Sequence, residues 1–84
     1  MQISEIWSIS AERIRDFFLI QKGVRQDEED RFSYGQCKVR ISQLPPRTTG
    51  RFCFPQTKVE FDGSEPDTTE IHRQFVLQFI SAGG

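Results

Sequence analysis

The fold is decided by residues 31–59, RFSYGQCKVRISQLPPRTTGRFCFPQTKV. This stretch has six basic residues and no acidic one, and two runs within it alternate between inward apolar and outward polar side chains. Cys37, Val39 and Ile41 alternate with polar neighbours in the first run, and Thr57 and Val59 do so in the second. A period of two is typical of strands with one buried face. The stretch therefore predicts a long β-hairpin with a basic outer face.

We expect the two hairpin strands to span residues 33–44 and 51–62. Residues 44–51, LPPRTTGR, are expected to form the loop between them, since tandem prolines remove two amide donors from the ladder. The alternation breaks at Pro55, which indicates an edge strand or a β-bulge rather than a central ladder.

The alternation also breaks at Gly35. Phe32 and Tyr34 precede this glycine and have the opposite parity to Cys37. Either a bulge at Gly35 redirects their rings, or both rings lie on the exposed face beside the basic residues.

A helix is expected over residues 11–22, before the hairpin. Ser10 is a favourable N-cap, Glu12 lies in the first turn, and Gly23 can take the left-handed conformation that ends a helix. An apolar stripe at Ile14, Phe17 and Phe18 gives the helix one buried face.

Three other segments are less clearly patterned. Residues 1–7 fit a strand or a helix equally well, and residues 25–30, RQDEED, are expected to be a solvated loop. Residues 72–80 are rich in β-forming side chains, and we expect a third strand there because an isolated hairpin is marginally stable. A helix over residues 68–81 is the main alternative.

Together these segments predict an α+β fold, in which one N-terminal helix packs on a three- to four-stranded antiparallel sheet built around the long hairpin. We expect residues 1–84 to form a single small globular domain. The predicted core consists of Ile14, Phe17, Phe18, Cys37, Val39, Ile41, Val59, Phe61, Leu77 and Phe79.

The net charge of −1 argues against a general nucleic-acid-binding protein, but the charge is unevenly distributed. Residues 1–30 carry a net charge of −3, residues 31–59 carry +6 and residues 60–84 carry −4. The basic block either pairs with acidic neighbours in the same fold or faces an anionic partner. Residues 1–10 lack a signal sequence or a membrane span, so a cytoplasmic protein without membrane contact is expected.

The side chains that carry most enzyme chemistry are scarce. His72 is the only histidine, and Cys37 and Cys53 lack the spacing of a redox pair or a zinc site. A hairpin centred near Arg47 or Thr48 places Cys37 opposite about residue 58, too far from Cys53 for a disulfide. We expect two buried free thiols, no metal, no cofactor and no enzymatic activity.

The first functional hypothesis is an interaction module whose basic, aromatic hairpin face contacts an acidic protein or a second copy of the chain. Single-stranded nucleic acid is an alternative ligand, because unpaired bases stack on aromatic rings while phosphates contact cations. Completing the sheet of another protein is a third role that fits an edge strand equally well. The predicted binding residues are Tyr34, Lys38, Arg40, Arg47, Arg51, Phe52, Phe54 and Lys58.

The last residues suggest a second hypothesis. A small α+β chain whose final apolar strand runs into Ala82-Gly83-Gly84 resembles the ubiquitin-like sulfur carriers. The resemblance covers the diglycine and the segment before it. It implies that the tail is activated as an adenylate and converted to a thiocarboxylate, which requires a thin chain that can enter the active site of a partner.

Overall fold

A computed structural model describes the backbone of residues 1–83 and the side chains of residues 1–80. In chain order its elements are β1 (Gln2–Trp7), α1 (Ala11–Ile20), β2 (Val24–Glu28), β3 (Arg31–Tyr34), β4 (Cys37–Thr49), β5 (Phe52–Gly63) and α2 (Glu65–Gly83). The strands lie in the order β1-β5-β4-β3-β2 and pair antiparallel throughout. The predicted α+β class is confirmed, with five strands where three or four were expected.

The predicted hairpin forms the centre of the sheet. β4 and β5 pair Val39 with Phe61 and Ile41 with Val59, and all four side chains are buried. The alternate positions of these strands face away from the core, as the periodicity predicts. They carry the predicted basic residues Lys38, Arg40 and Lys58.

Both helices cover the same face of the sheet and close one hydrophobic core. The predicted helix over residues 11–22 is confirmed as α1, and Ser10 caps it by accepting a hydrogen bond from the Arg13 amide at 3.3 Å. The buried apolar side chains are Ala11, Ile14, Phe17, Phe18, Phe32, Cys37, Val39, Ile41, Val59, Phe61, Ile71, Phe75 and Phe79. Nine of the ten predicted core residues belong to this set, and Leu77 is the exception.

The predicted strand over residues 72–80 is wrong, and the alternative helix is correct. Residues 65–83 form α2, in which Ile71, Phe75 and Phe79 are spaced four residues apart and all face the core. Leu77 would share the face of Phe75 in a strand, but in the helix it is 51% exposed.

Short strands form both edges of the sheet. Residues 1–7, which fit two structures, form β1 along β5, from Gln2 opposite Asp62 to Trp7 opposite Thr57. The loop predicted over residues 25–30 is wrong, because β2 pairs with β3 in this region. Only the first residue of β2 packs against the core, so an edge strand formed here without any apolar periodicity.

A tight turn explains the break in alternation at Gly35. Gly35, with a φ of +55°, and Gln36 connect β3 to β4, so the predicted strand over residues 33–44 is two strands. Phe32 therefore pairs with Val39 on the core side and is fully buried. Tyr34 also packs against the core, partly buried, so the alternative that placed both rings on the exposed face beside the basic residues is wrong.

The predicted proline loop is also wrong, because β4 continues through both prolines to Thr49. Leu44 pairs with Gln56 and Arg47 pairs with Phe54, so Pro45 and Pro46 face the single residue Pro55 across a β-bulge. The ladder is interrupted where the prolines lack amide donors. Of the two alternatives predicted at Pro55, the bulge is correct and the edge strand is wrong, since β5 lies between β1 and β4. The chain reverses only at Gly50-Arg51.

Both cysteines are free, as predicted, but only one is buried. Cys37 lies opposite Gly63 in the core, whereas Cys53 lies opposite Thr48 and is exposed. The prediction of a buried Cys53 is wrong because β4 and β5 extend beyond the part of the sheet that the helices cover.

Candidate functional site

The outer face of the sheet carries charges of both signs. In the register of β4 and β5, Arg40 lies opposite Glu60 and Lys38 lies opposite Asp62, and these four residues line a shallow groove of about 540 Å³. Lys58 lies between two uncharged residues of the neighbouring strands. Opposite charges at facing positions stabilise an antiparallel pair. Much of the predicted basic face is therefore balanced within the fold.

Asp27 of β2 adds a carboxylate to this face. It accepts a hydrogen bond from the Ser33 hydroxyl, its Oδ1 lies 3.2 Å from Arg25 Nε, and its Oδ2 lies 3.7 Å from Lys38 Nζ. The hydrogen bond from Ser33, followed by the bond and charge of Arg25 and the charge of Lys38, lowers the pKa of the Asp27 carboxyl. Lys38 is thus engaged by a neighbour in its own chain.

The exposed end of the hairpin is a second and different surface. We call residues 45–55 the hairpin arm, and every residue in it is exposed. Phe52 is 66% exposed and Phe54 is 44% exposed, and their rings stack on each other with centroids 6.1 Å apart. Arg47 lies directly opposite Phe54, so the guanidinium-bearing side chain is on the same face as the two rings.

The charge of the hairpin arm is uncompensated. The arm contains Arg47 and Arg51 and no acidic residue. Among the side chains that the structure describes, no carboxylate forms an ion pair with either arginine. The arm therefore combines exposed aromatic rings with positive charge that no described carboxylate pairs.

The hairpin arm and the end of α2 lie at the same end of the molecule, on either side of Trp7. At the base of the arm, Trp7 pairs with Thr57, and Gln56 Nε2 donates a hydrogen bond to Ser8 Oγ at 3.0 Å. The Trp7 ring also packs against Phe79, the last buried residue among the described side chains of α2, with a centroid distance of 6.4 Å.

The beginning of α2 lies at the opposite end of the sheet. Gly63, two residues before the helix, exchanges backbone hydrogen bonds with Met1, one at 2.8 Å and one at 3.0 Å. The helix thus runs along the core from the Met1 end of β1 to the Trp7 end. Phe79 therefore lies at the Trp7 end of the sheet, on the side that the helices cover, and the chain continues from there.

A polar cluster between β1 and α2 was not predicted. Glu5 Oε1 lies 2.9 Å from His72 Nε2 and accepts a hydrogen bond from Trp7 Nε1 at 3.2 Å. The His72 ring also packs edge-on against Phe61. His72 begins the segment that was expected to be a strand, but it is a helical residue with a carboxylate partner. The parity of Glu5 with Ile3 and Trp7, in a strand, was the available signal.

The structure thus separates the predicted binding residues into three groups. Lys38, Arg40 and Lys58 lie on the mixed-charge outer face, and Tyr34 packs on the core side. The hairpin arm carries the remaining four, Arg47, Arg51, Phe52 and Phe54. The prediction that these eight residues contact a partner stays a prediction.

The predicted carrier tail follows a helix instead of a strand. α2 continues to Gly83, and Gly84 lies outside the described residues. Ile80, next to the buried Phe79, is 62% exposed. Across the described part of the chain, no cluster of His, Cys, Asp or Glu could hold a metal ion, and neither helix is long and apolar enough to cross a membrane.

Comparison with known proteins identifies one family. The model of a family described as archaeal MoaD-like protein matches residues 2–84, which include the whole sheet, the hairpin arm and α2. No curated protein matches the chain.

Proposed function

Because the chain belongs to the family of archaeal MoaD-like proteins, we propose that it is a sulfur carrier whose terminal Gly83-Gly84 is activated and loaded with sulfur. The observation that carries this proposal is the family match over residues 2–84, which includes both glycines. The diglycine supports it chemically, because glycine lets a chain pass through a narrow channel without side-chain clashes.

The proposed chemistry takes place on the carboxylate of Gly84. One carboxylate oxygen attacks the α-phosphorus of adenosine triphosphate, which gives an acyl adenylate and releases pyrophosphate. Hydrosulfide then attacks the acyl carbon. The bond from that carbon to the adenylate oxygen breaks, adenosine monophosphate and a proton leave, and the terminus is a thiocarboxylate.

In this proposal the chain is a protein substrate and not an enzyme. Nucleotide binding and proton transfer are functions of the partner that receives the tail. The predicted role as a non-enzymatic interaction module is therefore part of the carrier proposal, since carriage requires a surface that the partner recognises.

The helix before the diglycine sets a condition on the tail. In α2 four residues, 80–83, follow Phe79 and span only about 6 Å, and Gly84 comes after them. Fully extended, five residues reach roughly 17 Å. Release of Ile80 uncovers little buried surface, because this side chain is already 62% exposed. We propose that the tail extends from Phe79 onward when it enters the partner.

Intact-mass measurement on protein purified from its native host tests the proposal. The first expected result is a chain that ends at Gly84, and the second is a fraction heavier by the replacement of one oxygen by sulfur. A variant lacking Gly83 and Gly84 is the matched comparison, and we expect it to fold normally and to carry no sulfur. A native protein with no sulfur-containing form, or one whose host function survives the deletion, contradicts the carrier proposal.

A further inference from the structure

The hairpin arm has no structural role in the core. Residues 45–55 are all exposed, and beyond Thr57 neither β1 nor a helix covers β5. Two strands without a third are marginally stable in water. The molecule is nevertheless extended along one axis, with dimensions of 42 × 26 × 23 Å. The arm is therefore accessible to another molecule along its whole length.

Two independent features indicate the chemistry of that molecule. Phe52 and Phe54 present stacked, exposed rings on one face of the arm, and aromatic anchors of this kind are enriched at the centres of protein interfaces. Arg47 and Arg51 flank them without a carboxylate partner among the described side chains. A complementary surface has an apolar pocket with an acidic rim.

The position of the arm identifies which partner this is. Trp7 contacts Phe79 at the end of α2, and Trp7 also pairs with Thr57 at the base of the arm. A protein that accepts the chain after Phe79 must approach this end of the molecule. Phe52 and Phe54 share the parity of Lys58 and face away from the helices, so the same protein has to extend past the end of the sheet to contact them. A partner bound at the Met1 end of the sheet would contact neither.

We propose that the hairpin arm docks in an acidic-rimmed apolar pocket of the enzyme that activates the C-terminal tail, so that one protein binds the arm and the tail together. This inference rests on the proposed carrier function. Two joined contacts strengthen binding because the second is intramolecular once the first has formed. Binding of the arm then determines the fraction of the protein whose tail is activated, while the carboxylate at the end of the tail is the group that reacts.

Replacement of the chromosomal copy in the native host, followed by intact mass, tests this inference. One variant combines Arg47→Glu with Arg51→Glu, and a second combines Phe52→Ser with Phe54→Ser. We expect each to lower the sulfur-loaded fraction roughly tenfold or more, as loss of an interface hot spot does. Thermal unfolding of each purified variant shows whether the sheet and helices remain intact, as exposed positions predict.

Matched controls change similar side chains away from the arm. Lys22→Glu with Arg73→Glu reverses two exposed positive charges on the helical side. Ile6→Ser removes an apolar side chain of β1 that is 59% exposed and lies outside the arm. Both control proteins should keep the wild-type loaded fraction.

The outcomes separate the two proposals. A loaded wild type with unloaded arm variants and loaded controls supports both. Normal loading of the arm variants overturns the arm inference and leaves the carrier function standing. A wild type that is never loaded overturns the carrier function and the arm inference with it.

Two further measurements on purified protein distinguish other occupants of the arm. Arm-dependent binding of a fluorescein-labelled oligodeoxythymidine would assign the arm to nucleic acid and overturn the inference. Sedimentation of a wild-type dimer that the Phe52→Ser, Phe54→Ser variant converts to a monomer would assign the arm to a second copy, with the same consequence. Monomeric wild type without oligonucleotide binding supports an arm reserved for the activating enzyme.

Discussion

Replacing Phe75 or Leu77 by alanine tests whether the chain before the diglycine is a helix, which determines where the tail emerges. Phe75 is fully buried, whereas Leu77, two residues away, is 51% exposed. In a strand these two residues share one face, and in a helix they point in different directions. The two variants therefore give similar losses of stability in one structure and very different losses in the other.

The expected magnitudes follow from the contacts of each side chain. The Phe75 ring packs against five others with centroid distances of 5.0–5.8 Å, namely Trp7, Phe17, Phe18, Phe61 and Phe79. Truncation of such a phenylalanine lowers the free energy of unfolding by about 3–5 kcal/mol. A chain of 84 residues has a total stability of about 4–13 kcal/mol, so Phe75→Ala removes a large part of it. Leu77→Ala should cost about 1 kcal/mol, because half of that side chain is in water already.

Urea denaturation followed by Trp7 fluorescence measures both effects, since the indole packs edge-on against Phe75 at 5.1 Å. With a slope of about 1 kcal/mol per molar urea, Phe75→Ala should lower the midpoint by roughly 3 M or more and Leu77→Ala by about 1 M. If Phe75→Ala does not fold, Phe75→Leu should show a loss of about 1–2 kcal/mol in the same direction. Equal losses at positions 75 and 77 would refute the helix and restore the strand.

Two other predictions concern the turn before β4 and the acidic edge strand. Gly35→Ala should lower the free energy of unfolding, measured in urea, by about 2–3 kcal/mol. The position has a positive φ, and a new Cβ would lie 2.5 Å from Asp67 Oδ2. Gly50→Ala should lower it by only about 1–2 kcal/mol, because Gly50 has a similar φ of +59° but open space around it. Equal losses for the two alanine variants would show that the contact with Asp67 contributes nothing. Asp27→Asn should be less stable than wild type at neutral pH, and this difference in stability should shrink below about pH 4. The hydrogen bond from Ser33 lowers the pKa of the carboxyl in the folded protein, so the ionised form stabilises the fold. That stabilisation is lost as the pH falls through the pKa of the folded state. A difference that is constant from pH 7 to pH 3 in thermal unfolding would contradict this reading.

Local patterns in the sequence predict the elements that have a buried face. β4, β5 and α1 each carry a clear apolar period, and Ser10 marks the start of α1. β2 has no such period, because an edge strand is held by backbone hydrogen bonds to one neighbour and its side chains are mostly in solvent. The tandem prolines led to a wrong prediction of a loop for a related reason. At a β-bulge the ladder is interrupted, so the strand can continue although prolines have no amide donors.

The segment over residues 72–80 carries both periods at once. Phe75 and Phe79 are four residues apart, which suits one face of a helix and also one face of a strand. The choice depends on the rest of the fold. With β1 paired to β5 and β2 paired to β3, the sheet has five strands, and what the core still needs is a second apolar layer over Phe61. A local sequence pattern cannot show which layer of the core is still missing, because that depends on strands far away in the chain.

The position of one turn decided how much of the candidate site could be predicted. The side of the sheet on which Lys38 and Arg40 lie follows from parity and is confirmed. Which acidic residues lie opposite them depends on the register of β4 and β5. The predicted turn near Thr48 gives a register that differs from the observed one by about five residues. With the turn at Gly50-Arg51, Glu60 and Asp62 lie opposite these bases. The turn at Gly50-Arg51 also makes the arm longer than predicted, and it leaves Arg47 and Arg51 without an acidic residue opposite them.

The end of α2 has the properties that release of a tail requires. A helix leaves its last four carbonyl groups without internal partners, and a basic side chain in the last turn often compensates them. α2 has no basic residue in its last turn. Gly83 weakens the same turn by about 1 kcal/mol relative to alanine. One turn earlier, Phe79 is 8% exposed and packs against Trp7, Phe17 and Phe75. Uncoiling from the end should therefore stop at Phe79, which keeps the point where the tail leaves the fold at the Trp7 end of the sheet.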